Sequence, residues 1–218
     1  KIGEYSRTSA LLILFFLLYN VSEFSRQLVY RHIAFPYALK NSLRGQPVRP
    51  AIERFFESDE ISDHLSQDNV PGSILAANST VVAELERKGV LSQSQQRLLE
   101  DRLSLLTDAQ GGCERIKRTV FPYDYRFYTT AFVNIFSCVV PFALVDEAKW
   151  LTVPWTVFVS FALSAIDHLA KAIENPFENR PNDTPMSSIC TVIERDLRQM
   201  LGEDNIPDHV VAQNGYLL

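Results

Sequence analysis

An all-α membrane protein is the fold class this sequence predicts, and three observations carry it. From Phe127 to Ile166 the only charged residues are Asp146, Glu147 and Lys149, gathered in one short stretch. Elsewhere apolar residues recur at helical spacing, as in Leu99, Leu103 and Leu106. Nowhere in the intervening polar region does a strand-length alternation appear.

The elements follow in order. Ala10 to Tyr19 is an apolar run too short to span a bilayer by itself; extended from Thr8 to Val21 it suits a re-entrant, buried or bundle-lined helix. The chain starts at Lys1, so an upstream segment is expected. Ser25 to Leu43 reads as a helix stopped by Arg44-Gly45-Gln46-Pro47. Short amphipathic turns follow at Ala51 to Phe56 and Asp59 to Leu65. Pro71 opens a helix with Ile74, Ala77, Val81 and Leu85 on one face, closed by Lys88-Gly89. Ser92 with Gln95 is a capping-box signature ahead of Leu99, Leu103 and Leu106. The Gly111-Gly112 pair marks a break.

Two apolar arms come next, with Asp146 to Lys149 as the loop between them. Phe127 to Val145 would be about 28 Å long as a helix, close to a bilayer's ~30 Å hydrocarbon core. Trp150 to Ile166 is at the short limit. Tyr125, Tyr128, Trp150 and Trp155 sit near the ends, where interfacial aromatic anchors belong. A soluble buried hairpin is the rival reading. It would normally show one polar stripe, and these arms offer only scattered Ser, Thr and Asn. Beyond them, Thr184 as N-cap and Pro185 as first residue open a helix with Ile189, Ile193, Leu197 and Met200 on one side, ended by Gly202. The tail from Glu203 is polar, contains Pro207, and lies over a neighbouring surface or hangs free. The chain thus divides into an apolar helix (1–22), a helical soluble domain (23–126), a transmembrane hairpin (127–166) and a C-terminal helix with its tail (167–218).

Composition excludes several functions. The chain has 218 residues, 46% of them hydrophobic, with 26 acidic against 21 basic residues and a net charge of −5. A phosphate-backbone binder would show a basic surplus, so nucleic acid is not an expected partner. Cys113, Cys138 and Cys190 are odd in number and far apart, and read as buried or inert thiols. His32, His64, His168 and His209 show no ligand spacing, and no nucleophile elbow, zinc helix, phosphate loop or dinucleotide fingerprint is present. Asp167-His168 is the nearest approach to an acid–base pair and reads as two interfacial polar residues where a helix leaves lipid. No enzyme, cofactor or metal is indicated.

A set of motifs carries a family likeness: Arg31-His32-Ile33-Ala34-Phe35, Leu43-Arg44-Gly45-Gln46, Gly112-Cys113-Glu114-Arg115-Ile116, Thr119-Val120-Phe121-Pro122-Tyr123, Pro141-Phe142-Ala143-Leu144-Val145, Glu174-Asn175-Pro176-Phe177, Asn182-Asp183-x-Pro185 and Ile193-Glu194-x-Asp196-Leu197. In this order and spacing they resemble the bacterial branch of the bestrophin family. The resemblance implies a homopentameric channel with four membrane segments per subunit, a large helical cytosolic domain and one axial pore for small monovalent ions. Eukaryotic relatives conduct chloride, whereas bacterial ones need not. It also implies a multi-pass protein of the cell membrane, the bacterial inner membrane here, with the bilayer and its own copies as partners.

The same resemblance assigns the pore. Its cytosolic aperture falls on Phe121, before Pro122, with Val120 standing where the family pattern has a first proline. The membrane-level neck falls on Leu11, Phe15 and Tyr19, at i, i+4 and i+8 on one helix face, with core packing as the competing reading for all three. The arginine expected after Tyr19 and the segment that normally follows it are absent. Animal relatives hold calcium in an acidic loop after Asn175, Pro176 and Phe177. Here that loop has an arginine and a proline among two carboxylates, too few hard oxygens for calcium, so Asp183 and Thr184 read as helix-capping residues. The alternative from a different class is a membrane-anchored helical interaction module that conducts nothing.

Overall fold

The computed structural model describes residues 23–119, 123–180 and 183–211, and every regular element among them is helical. The chain divides into two compact units. One draws on the chain up to Arg115 and from Phe177 onward; the other runs from Ile116 to Pro176.

In the first unit, α1 (Glu23–Arg44) is the central helix. From His32 to Leu39 every residue is buried, so this stretch is covered on all sides. Burying side chains such as Leu28, Ile33, Phe35 and Leu39 stabilises the fold by ~1.5–3 kcal/mol each. The helix ends in a left-handed turn at Gly45 (φ 64°), where Gly45 N–H donates to Ser42 O (3.1 Å) and Gln46 N–H to Asn41 O (2.9 Å). A residue with a Cβ would be strained there. A short α2 (Arg49–Ile52), a 3-10 turn (Glu53–Phe55) and α3 (Ser58–Leu65) follow, then α4 (Val70–Arg87). α1 packs directly against α4, α8 (Met186–Met200) and the short α2 with the turn that follows it.

Three expectations need correction. The buried face of α4 is Ile74, Leu75, Asn78, Val82 and Leu85, rotated from the Ala77 and Val81 stripe, which is only half-buried. Small Ala77 tells little about direction, and neighbours on both sides of α4 draw in the adjacent residues. The helix α5 (Gln93–Arg118) runs through Gly111-Gly112 without a break. Mid-helix glycine costs only ~1 kcal/mol against alanine, and a long helix tolerates it. Finally, α8 starts at Met186 with Pro185 as its N-cap, and it buries Met186, Cys190, Ile193, Glu194 and Leu197, leaving Met200 exposed and Ile189 half-buried. The Ser92–Gln95 box does form: Ser92 N–H donates to Gln95 Oε1 (2.8 Å), and Gln95 N–H donates to Ser92 Oγ (3.4 Å).

The second unit is built on a helical hairpin. α6 (Tyr123–Ala148) and α7 (Thr152–Glu174) pack on each other and are joined by a 3-10 turn, Lys149–Leu151. The reversal thus falls after Asp146 and Glu147, which remain helical. It turns at Lys149 (φ 47°) and is closed by Thr152, whose buried hydroxyl donates to Leu144 O (3.2 Å).

Candidate pore elements

By length and composition, the stretch Phe127–Ala170 is apolar enough to cross a membrane, and none of its most apolar window is buried in the chain. Phe142 is 80% and Trp150 79% exposed. An apolar surface this long needs an apolar solvent or a partner. The hydroxyls of the arms suit that setting: Thr129 donates to Tyr125 O (2.8 Å) and Thr156 to Thr152 O (2.7 Å), each returning to its own helix. Cys138 is exposed on α6, so of the expected buried or inert thiols it is not one of the buried ones.

The start and end of this unit are tied together. Lys117, one residue before the end of α5, donates through Nζ to Asn175 Oδ1 (3.1 Å), just after the last residue of α7. Pro176 is half-buried, and in the first unit Phe177 belongs to the apolar core. Asp183 is buried, and its Oδ2 accepts the Arg180 backbone N–H (3.0 Å), so it closes a turn of its own loop instead of capping α8. Arg180 itself pairs with Glu178. Among the described residues no group of three or more His, Cys, Asp or Glu comes together as a metal site. The remaining sequence-derived pore residues, Phe121, Pro122, Leu11, Phe15 and Tyr19, lie outside the described residues.

The first unit contains a buried polar hub that sequence reasoning missed. Glu194 on α8 is 0% exposed. Its Oε2 accepts Tyr37 O–H and Arg54 Nη2, both at 2.7 Å. Arg198 Nε lies 3.0 Å from Oε1 as an ion pair without hydrogen-bond alignment. Burial, then the Glu194 carboxylate, pushes the Tyr37 hydroxyl well above its usual range, so it stays a donor. Beside it, burial pushes the Cys190 thiol up to about 12. Next to the hub, the tail is pinned rather than free: Glu203 accepts Tyr30 O–H (2.6 Å) and Arg26 Nη2 (3.2 Å), and Arg195 donates to Pro207 O. The signal in sequence was an acid one turn from an arginine on an otherwise apolar face, Glu194 and Arg198. A nearby cavity of about 410 Å³, lined by Arg26, Arg31, Arg54, Glu57 and Glu60, has its arginines already committed to Glu203, Glu60 and Glu194.

These features define a class: an all-helical protein with one polar-surfaced helical unit and one hairpin whose outer face is built for lipid. The chain belongs to the bacterial and fungal bestrophin family, whose description, Bacterial/Fungal Bestrophin protein, matches residues 9–199. It is a membrane protein of that family. It is 32% identical over 199 residues to the voltage-dependent anion channel-forming protein YneE of Escherichia coli, covering 91% of this chain and 64% of that protein. A Nostoc relative of the same description is 28% identical over 182 residues, covering 83% of this chain and 59% of its own length. The chain therefore spans less than two thirds of these relatives. The fold is shared with crystal structures of a bacterial bestrophin homolog from Klebsiella pneumoniae. One, a point variant, matches with a TM-score of 0.88; the other, phased with zinc, with 0.86. Both are 28% identical and cover 93% of this chain and 75% of theirs.

Proposed function

We propose that this chain is the pore-forming subunit of a homopentameric channel that passively conducts small monovalent ions, with chloride the leading candidate, across a bacterial inner membrane. The observation that carries this reading is the family match over nearly the whole chain, combined with a hairpin that leaves its apolar face unburied. The name of the E. coli relative favours anions. Residues 127–166 are the transmembrane hairpin, and 23–126 with 167–218 the cytosolic part. Residues 1–22 supply the neck at Leu11, Phe15 and Tyr19, and Phe121 before Pro122 forms the aperture. No cofactor and no catalytic group takes part.

A ring of five phenylalanines works as a dry constriction whose barrier falls steeply as it widens or is hydrated. Lacking fixed charge, it does not choose the sign of the ion. Bilayer recordings of Phe121→Ala test the assignment: conductance rises or ion preference changes. Unaltered currents remove Phe121 from the pore. Mass measurement of the detergent-solubilised protein gives five subunits; monomers or dimers without ion flux would favour the anchored interaction module.

A further inference from the structure

An uncharged aperture leaves the choice of ion sign to its surroundings, and the surroundings here run against the charge of the whole chain. From Glu114 to Arg126 stand four basic residues, Arg115, Lys117, Arg118 and Arg126, against two carboxylates, Glu114 and Asp124, a basic surplus in a protein of net charge −5. Arg118 is the last residue of α5 and is exposed, and no hydrogen bond or ion pair of its guanidinium forms among the described residues. Lys117 donates to Asn175 Oδ1 at 3.1 Å, a neutral acceptor that orients the ammonium. Phe121 lies three positions after Arg118 and four after Lys117, so the Cα atoms are at most ~11 Å and ~14 Å apart. These upper bounds are comparable to the Debye length of ~8–10 Å at moderate salt, so these cations act on an ion at the constriction.

We infer that Lys117 and Arg118 form a cationic collar beside the aperture that selects anions, chloride-sized monovalent ions above all; this rests on the channel reading and on Phe121 as the constriction. Five subunits contribute about ten positive charges within a short distance of the axis, a local field opposite in sign to the net charge. The competing role for two basic residues at a helix C-terminus is to offset the helix dipole. That role stabilises α5 and is blind to the permeant ion.

The test is the reversal potential of the full-length protein in planar bilayers under an asymmetric NaCl gradient. Wild type reverses toward the chloride potential. The double charge reversal Lys117→Glu with Arg118→Glu lowers the chloride-to-sodium permeability ratio by about tenfold or more, while Lys117→Arg with Arg118→Lys keeps it. A conducting charge-reversed protein with an unchanged ratio, even at a lower melting temperature, overturns the collar in favour of the dipole role. A sodium-selective wild type overturns it too and leaves the channel reading standing; a wild type that passes no ions sinks both. If charge reversal blocks assembly, wild type alone decides. Its selectivity falls as salt rises toward 1 M, where the Debye length shrinks to ~3 Å, and a ratio independent of salt refutes the collar.

Discussion

Replacing Glu194 is the sharpest test of how the first unit is held together. The carboxylate is 0% exposed and is contacted by Tyr37, Arg54 and Arg198, from α1, the turn after α2, and α8 itself. Glu194→Ala strips the buried Tyr37 hydroxyl of its acceptor, at ~1–3 kcal/mol for an orphaned donor. It also leaves Arg198, 13% exposed as a side chain, with Glu203 Oε2 (3.3 Å), Asn205 O (3.2 Å) and the Tyr30 ring (5.6 Å to its centroid). Arg54, 48% exposed, turns to water at little cost. Breaking a buried pair costs ~3–5 kcal/mol, and the partners that survive place the loss near the middle, about 4 kcal/mol. For a chain of this size that is a fall of ~8–16 °C in melting temperature. Glu194→Gln keeps the shape and one acceptor and loses about half as much. The assay is thermal melting of the detergent-solubilised protein followed by helix circular dichroism, with Tyr37→Phe completing a double-mutant cycle that returns a coupling of ~0.5–3 kcal/mol. A Glu194→Ala melt within ~2 °C of wild type, or a coupling near zero, would refute the hub.

Other outcomes follow from the same structure. Burial lowers the His64 pKa below its ordinary 6.5, against the opposing pull of Glu60. The unfolded chain therefore binds the extra proton first, and the protein loses stability as pH falls below ~6.5; His64→Gln removes that part of the slope in denaturant titrations, and an unchanged slope would contradict it. Gly202 ends α8 with φ 72°, Gly202 N–H donating to Gln199 O (3.0 Å). Gly202→Ala therefore costs ~1–2 kcal/mol in the same melts, and a neutral outcome would refute a strained cap.

Much of this architecture was legible in the residues because the strongest signals are local. The Ser92–Gln95 box, the glycine stops at Gly45, Gly89 and Gly202, and the stripe Leu99, Leu103 and Leu106 each depend on neighbours within one or two turns. Register across helices was less legible. The buried face of α4 is rotated, and α1 is buried on all sides from His32 to Leu39, with Arg31 and Lys40 flanking that stretch. A helix at the centre of a unit is defined by what surrounds it, which its own periodicity does not encode. The hub at Glu194 was hidden for the same reason, since Tyr37 and Arg54 lie far away in sequence. Gly111-Gly112 read as a break because glycine propensity is weak evidence inside a long helix. Of the candidate site, the Asn175-Pro176-Phe177 motif stands out in the sequence, whereas the tie from Lys117 to Asn175 does not, because nothing local marks it.

A channel must pass ions through a pore of its own. Single-channel recording of the purified full-length wild type in planar bilayers is the direct measurement. It predicts discrete unitary currents that grow in Phe121→Ala and come from particles of fivefold symmetry. Silent bilayers from correctly inserted protein, or currents indifferent to Phe121 in particles of lower symmetry, would contradict it.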